Sequence, residues 1–132
     1  QIPRSVTVLD VANGSMQALV TYSPHFLSGE EISCLFQELN SHTDDFNQDV
    51  FKLYGKEYRS PRLVGAFGDR KGISYTYSGN TRTTVGQFTP TMLAVKKRIE
   101  EIVGHPLNYV LVNWYRDGKD HITWHNDKEK DL

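Results

Sequence analysis

NYVLVNWYRDGKDHITWHNDKEKDL, residues 108–132, decides the fold because it joins an apolar run to a turn and a dense set of polar side chains. Residues 109–115 are mostly β-branched or aromatic, a composition typical of a strand. Asp117-Gly118 follows and is a favoured hairpin turn pair. The stretch therefore predicts a strand, a turn and a second strand over residues 122–127.

Two pairs of the form His-x-Asp are candidates for metal binding. His125 and Asp127 share one face of the second strand, and a nitrogen and an oxygen placed in this way can bind one metal ion, as in non-haem Fe(II) oxygenases. Asn113 and Tyr115, polar residues of the apolar first strand, indicate a polar pocket beside them. The other pair, at residues 42–44, is interpreted as a solvated loop. Spacing alone leaves a metal site and a structural hairpin both open.

The same residues resemble the AlkB family of Fe(II)- and 2-oxoglutarate-dependent dioxygenases. The resemblance covers about residues 28–132, and its pattern N-x-Y-x-D-G-x-D-x-I-x-x-H-x-D-x-E is read here as Asn113, Tyr115, Asp117, Gly118, Asp120, Ile122, His125, Asp127 and Glu129. It implies an α+β fold in which N-terminal helices precede a double-stranded β-helix, or jelly-roll, dioxygenase core. It also implies that His125 and Asp127 are catalytic Fe(II) ligands and that Asn113 and Tyr115 contact the cosubstrate 2-oxoglutarate.

The activity implied by the resemblance is oxidative dealkylation repair of N-alkylated nucleic-acid bases, of the 1-methyladenine and 3-methylcytosine type. The alkyl group is hydroxylated and leaves as an aldehyde. Two alternatives stay open. One is a catalytically incomplete AlkB-like module that binds nucleic acid or protein, and the other, less favoured, is a relative that oxidises a protein or lipid.

The chain departs from the family pattern after Asp127. In the family, the second metal histidine and the basic residues for the 2-oxoglutarate carboxylate lie well downstream, and no histidine follows Asp127 here. We therefore expect a truncated jelly roll, completed either by a continuation of the natural protein beyond Leu132 or by another polypeptide. This chain alone should be inactive.

The distribution of charge favours a polyanionic partner. Net charge is −1, but residues 1–51 hold one basic residue against seven acidic ones, whereas residues 52–98 hold ten basic against two acidic, a net charge of +8. Such asymmetry is typical of nucleic-acid binding. The alternative is a solvated face that acidic residues balance in space.

Residues 50–58 predict two short strands joined at Tyr54-Gly55-Lys56, with the Tyr54 ring exposed. In AlkB relatives that act on duplex DNA, an aromatic residue of a similar hairpin inserts into the base stack. The resemblance therefore makes Tyr54 a candidate wedge, with Lys56 and Arg62 as phosphate contacts. The alternative is a tyrosine folded back on the sheet.

Residues 72–79 alternate between large and small side chains, with Tyr75 and Tyr77 on one face. Without the resemblance, alternation of this kind is more often ordinary cross-strand packing. The segment resembles the substrate-recognition region of AlkB proteins, and this assigns both tyrosines to a flipped base, which needs a flat aromatic surface.

Two helices are predicted. Ser28 and Glu31 form a capping box that begins the first. Its predicted buried face consists of Ile32, Leu35, Phe36 and Leu39. The second runs from Pro90 in its first turn to residue 103, and Gly104 ends it.

At 132 residues the chain is at most one domain. We divide it into a leading segment (1–27), a nucleotide-recognition region with support helices (28–107) and a first metal-binding hairpin (108–132). No apolar run of transmembrane length and no signal peptide is present, and we expect a monomer without membrane contact. The single Cys34, expected in the core, fits a reducing intracellular compartment: the nucleus in a eukaryote, the cytoplasm otherwise.

Overall fold

The computed structural model describes residues 6–13, 16–77 and 80–125. Helices and strands are mixed, which confirms the α+β class, and the described strands do not close into a barrel. The elements are β1 Val6–Asn13, β2 Met16–Tyr22, α1 Gly29–Asn40, a 3₁₀ turn Thr43–Asp45, β3 Val50–Leu53, β4 Lys56–Arg59, β5 Leu63–Gly68, β6 Ser74–Tyr77, β7 Asn80–Thr83, β8 Gly86–Gln87, α2 Pro90–Val103 and β9 Tyr109–Trp114.

The central sheet has the strand order β8-β5-β9, with β5 parallel to β8 and antiparallel to β9. The sequence of β5, LVGAFG, is apolar throughout, as expected for a strand buried on both faces. Phe67 of β5 is 0% exposed and lies at the centre of the core with Phe46 and Met92. Around them pack Leu35, Leu39, Leu63, Phe88, Val110, Val112 and Trp114. This core fixes the position of β9, the strand that carries Asn113.

Two glycines of β5 allow neighbouring groups to approach the backbone closely. A Cβ atom on Gly68 would lie 2.8 Å from the carbonyl oxygen of Asn108 and 2.9 Å from Cγ2 of Thr84. A Cβ atom on Gly65 would lie 3.0 to 3.2 Å from three carbons of the Phe46 ring. The sheet can therefore form with this spacing only because these positions lack a side chain.

Helix α1 begins at the predicted capping box, in which Ser28 Oγ accepts from the Glu31 amide and the Glu31 carboxylate accepts from the Ser28 amide. Its predicted buried face is only partly right. Leu35 and Leu39 pack on the core, whereas Ile32 is 55% and Phe36 65% exposed, because the described part of the chain covers only one edge of α1. Cys34 is exposed, so its expected place in the core is wrong.

Helix α2 has the predicted ends. Thr89 caps its N-terminus, Pro90 occupies the first turn, and Gly104 ends it in the left-handed conformation. Glu38 of α1 fastens the two helices together by accepting hydrogen bonds from Thr89 Oγ1 (2.5 Å) and from the amide and hydroxyl of Thr91. Desolvation raises the pKa of Glu38, but these hydrogen bonds outweigh it and the net pKa is lowered.

The remaining strands form antiparallel hairpins. β1 pairs with β2, β3 with β4, and β6 with β7. The strands β7 and β8 were not predicted, since polar residues dominate 80–87. They form because β7 supplies the partner of β6 and β8 adds to the edge of β5.

Candidate functional site

Two residues that were predicted to contact different ligands are hydrogen-bonded to each other in the structure. Asn113, predicted to contact 2-oxoglutarate, lies on β9 opposite Val64 of β5. Arg62, predicted to contact nucleic acid, lies just before β5, and its Nε donates to Asn113 Oδ1 at 3.0 Å. Because an amide oxygen that accepts from a guanidinium is held in one orientation, the Asn113 amide nitrogen is turned the other way as a donor.

Tyr115 follows the end of β9 and is exposed. The predicted turn after it is present and closed by side chains. The Asp120 carboxylate accepts from the Arg116 amide and from its guanidinium, at 2.7 to 3.0 Å. These bonds hold the pKa of Asp120 down at about 2, the hydrogen bond from the Arg116 side chain being the largest cause. Asp117 Oδ1 accepts from the amide of Lys119, as in an Asx turn.

The second strand predicted over 122–127 is wrong for its described part. Residues 122–125 carry no strand, and the predicted strand alternation does not apply to them. The reason lies at the turn, where the His121 amide donates to the carbonyl of Pro61 at 2.9 Å instead of pairing with β9. The returning chain is thereby held beside the residue that precedes Arg62.

His125 is exposed, and its Nδ1 lies 2.8 Å from the carbonyl oxygen of Thr123. A carbonyl oxygen can only accept, so Nδ1 carries a proton and donates this hydrogen bond. In a neutral imidazole this donation leaves the lone pair on Nε2, the nitrogen through which the ring could bind a metal ion. Asp127, the predicted carboxylate ligand, lies outside the described residues. Over the described ranges, no three histidine, cysteine or acidic side chains group as metal ligands.

Tyr54 stands at the tip of the β3–β4 hairpin and is fully exposed. Tyr54 and Gly55 have φ angles of 50° and 76°, and two consecutive left-handed residues are what a tight two-residue hairpin turn requires. The ring therefore projects from the molecule and is not folded back on the sheet. Lys56 follows on β4 and is also exposed.

Three of the ten basic residues between 52 and 98 are paired with acids. Arg82 pairs with Asp49, Lys96 with Asp69 and Glu100, and Arg98 with Glu31. For the other seven, the described residues supply no ion pair. Four of these belong to the β3–β4 hairpin and the loop after it, namely Lys52, Lys56, Arg59 and Arg62. We call these four residues the basic hairpin; Lys52 and Lys56 flank the projecting Tyr54, and Arg59 and Arg62 follow at the other end of β4.

Tyr75 lies against Tyr109, a tyrosine outside the set of predicted site residues. Its ring centroid is 5.5 Å from that of Tyr109, the first residue of β9, with the planes tilted by 50°. Tyr77 also lies on β6, but its side chain is outside the described part. Beside Tyr109, the Arg82 guanidinium pairs with Asp49. The signal in the sequence for Tyr109 was a phenol at the head of a mainly apolar strand.

A cleft of about 440 Å³ lies between α1, α2 and β9. Its walls are mainly hydrophobic, with Leu35, Met92 and Ile99 among them. Of the predicted site residues with described side chains, only Asn113 lines it. The cleft therefore is a gap on the helix side of β9 rather than the place where the predicted polar residues meet. No helix of the described chain is long and apolar enough to span a bilayer.

Comparison with known proteins agrees with the resemblance seen in the sequence. Residues 19–132 match the family model described as the 2OG-Fe(II) oxygenase superfamily. The chain is 38% identical over 104 residues to the mouse DNA oxidative demethylase ALKBH2, covering 77% of this chain and 43% of that protein. Human ALKBH2 is 33% identical over 74% of this chain and 38% of its own length.

A second relative is the rat alpha-ketoglutarate-dependent dioxygenase alkB homolog 3, which is 41% identical over 57% of this chain and 24% of its own length. The chain thus spans less than half the length of these curated relatives. The AlkB-type relatives confirm the family resemblance, and the match over residues 19–132 covers most of the sequence. The chain belongs to the 2OG-Fe(II) oxygenase superfamily.

Proposed function

We propose that the protein of which this chain forms part is an Fe(II)- and 2-oxoglutarate-dependent dioxygenase that repairs N-alkylated bases in duplex DNA, of the 1-methyladenine and 3-methylcytosine type. The similarity to DNA oxidative demethylases supports the reaction. The projecting Tyr54 within the basic hairpin supports a duplex substrate, since a wedge has no use on a single strand.

The observation that carries the proposal is the Arg62–Asn113 hydrogen bond. It links the basic hairpin, which would hold the DNA backbone, to the strand that would hold the cosubstrate. The residues that would contact the DNA around a flipped lesion base would then be linked through Arg62 to Asn113, which would contact the cosubstrate. The proposal includes a jelly-roll core built around β5 and β9, with residues 28–107 as the nucleotide-recognition region and 108–132 as the first part of the metal site.

The residues fit the groups that this family uses. With Nδ1 donating to Thr123, a neutral His125 would present the Nε2 lone pair, and Asp127 would add a carboxylate oxygen, both suitable donors for Fe(II). Asn113, turned by Arg62, would present its amide to 2-oxoglutarate, and Tyr115 would add a hydroxyl. When bound, the iron and cosubstrate supply the oxidation of the N-methyl group. One atom of O₂ enters a hydroxymethyl group and the other enters succinate, while CO₂ leaves.

The remaining step, loss of the hydroxymethyl group, is a reaction of the substrate itself. The hydroxymethyl group leaves as formaldehyde when its O–H proton is lost and the C–N bond breaks, and the ring nitrogen keeps the electron pair. The base regains its normal form. The protein would act intracellularly, in the nucleus if its source is eukaryotic and otherwise in the cytoplasm, as a monomer without membrane contact.

The test is turnover of a duplex carrying 1-methyladenine by the full-length protein, with formaldehyde and succinate measured together. We expect equimolar release that depends on Fe(II) and 2-oxoglutarate. His125→Ala should abolish both products, whereas His105→Ala, which changes an exposed histidine at the end of α2, should not. Lesion binding without either product would instead favour a catalytically incomplete nucleic-acid binding module.

A further inference from the structure

The Tyr109 hydroxyl is buried and makes no hydrogen bond within the described part of the chain. An unsatisfied buried hydroxyl costs free energy, and folded proteins leave few of them. Tyr109 begins β9, where a phenylalanine would supply the same ring and the same packing. The hydroxyl is therefore available to a partner other than the described residues.

The surroundings of Tyr109 restrict what that partner is. Burial raises the pKa of Tyr109 more than the nearby Arg82 charge lowers it, so the hydroxyl keeps its proton and can donate at neutral pH. Arg82 itself is engaged by the Asp49 carboxylate. An anionic group such as a phosphate would find its strongest donor already paired. A neutral acceptor suits this position better.

The Tyr75 and Tyr109 rings supply a second feature of the same position. With centroids 5.5 Å apart and planes tilted by 50°, they form an aromatic corner and not a closed stack. An aromatic corner of this kind can accept a flat heteroaromatic ring against one of its faces. Tyr109 and Asn113 share one face of β9, roughly 13 Å apart along the strand. A base lying in the corner would thus be on the same face as the proposed cosubstrate contact.

We propose that the Tyr109 hydroxyl donates a hydrogen bond to the edge of a flipped base, at a ring nitrogen or carbonyl oxygen, while the base packs against the Tyr75–Tyr109 corner. The inference rests on the proposed function and adds a base-contacting residue to it. Tyr109 would raise affinity for the lesion base by replacing the hydrogen bonds that the base loses on leaving the duplex.

The test is Tyr109→Phe in the full-length protein, with binding measured by fluorescence anisotropy on three duplexes of one sequence. One carries 1-methyladenine, one carries unmodified adenine, and one carries a tetrahydrofuran abasic analogue at that position. We expect the affinity for the lesion duplex to fall about threefold to tenfold, the effect of one lost hydrogen bond. The affinity for the abasic duplex should be unchanged. Tyr22→Phe, on β2, is the matched control and should alter neither.

Stability provides an independent readout of the same variant. Because Tyr109→Phe removes an unsatisfied buried group, its melting temperature should equal or exceed that of the wild type. A purely structural hydroxyl would lower both stability and affinity on all three duplexes. Equal losses on the lesion and abasic duplexes would mean a backbone contact and would overturn the assignment to the base. An unchanged lesion affinity would also overturn it.

Lesion binding and formaldehyde release by the wild-type protein distinguish failure of this inference from failure of the proposed function. If wild-type protein binds the lesion and unmodified duplexes equally and releases no formaldehyde, the proposed function fails, and the inference fails with it. If the wild type is active and prefers the lesion, and Tyr109→Phe keeps that preference in full, only the role of Tyr109 is refuted.

Discussion

Arg62 Nε donates a 3.0 Å hydrogen bond to Asn113 Oδ1, between two residues 51 positions apart in the chain. The antiparallel pairing of β5 with β9, with Leu63 opposite Trp114 and Val64 opposite Asn113, brings them together. A residue of the proposed DNA surface thereby orients a residue of the proposed cosubstrate site. A substitution of Arg62 should therefore affect cosubstrate binding through Asn113.

We expect Arg62→Ala to raise the KM for 2-oxoglutarate, although Arg62 is not expected to touch that molecule, because the Asn113 amide loses the group that orients it. In a double-mutant cycle with Asn113→Ala, the two changes should be non-additive by about 1 kcal/mol. Arg59→Ala, an exposed arginine of β4, should leave this KM unchanged. Strict additivity would mean that the hydrogen bond has no part in cosubstrate binding.

Tyr54→Asn should stabilise the fold and impair the proposed activity on duplex DNA. Tyr54 has a φ of 50°, a conformation that costs a tyrosine about 1 kcal/mol and that asparagine before glycine adopts readily. Chemical denaturation should therefore give a higher free energy of unfolding. Without the ring, repair of duplex substrates should fall more than repair of single strands, and equal losses on both substrates would refute the wedge.

Replacing Lys56 and Arg62 together by glutamine should reduce the salt dependence of DNA binding. Each phosphate contact releases about one counterion, so the slope of log affinity against log salt should decrease by about two. Lys97→Gln removes a charge from α2, away from the basic hairpin, and is the matched control. A slope that does not change in the double variant would show that these side chains do not contact phosphates.

Gly68→Ala should destabilise the central sheet. The added methyl carbon would lie 2.8 Å from the Asn108 carbonyl oxygen and 2.9 Å from Thr84 Cγ2, well inside normal contact, so that β9 or the β6–β7 hairpin must shift. We expect a loss of about 1–3 kcal/mol in urea denaturation. Gly86→Ala is the control, since its Cβ would lie an ordinary 3.6 Å from the Phe67 ring. Equal effects of the two changes would contradict the close packing at Gly68.

The Asp120 carboxyl should titrate with a pKa of about 2, observable by carbon NMR. Because its folded pKa is below the ordinary value of 3.8, the turn gains stability above about pH 4 and loses it as the pH falls towards 2. In Arg116→Gln the pKa should rise towards the ordinary value, since the hydrogen bond from the Arg116 side chain is the largest cause of the shift. A midpoint that stays near 2 in this variant would mean that the backbone amide alone sets it.

Local sequence chemistry determined several features correctly. The Ser28–Glu31 capping box, the Pro90 and Gly104 ends of α2, and the turn at Tyr54 depend on residues within a few positions of one another. Short-range hydrogen bonds and backbone preferences suffice to fix such features. Burial was harder to predict. Phe36 has the spacing of a core residue but is exposed, because burial also requires a surface that covers the helix.

The sequence by itself determined the family, the helix ends, the β3–β4 hairpin and the candidate ligands, because these depend on residue type and short spacing. Only the tertiary structure decided that Arg62 orients Asn113, that the chain after Asp117 returns to Pro61 instead of pairing with β9, and that Tyr109 lies in a corner with Tyr75. These contacts join distant segments. Their geometry depends on how β5, β6 and β9 are placed around one core, and no local pattern encodes that placement.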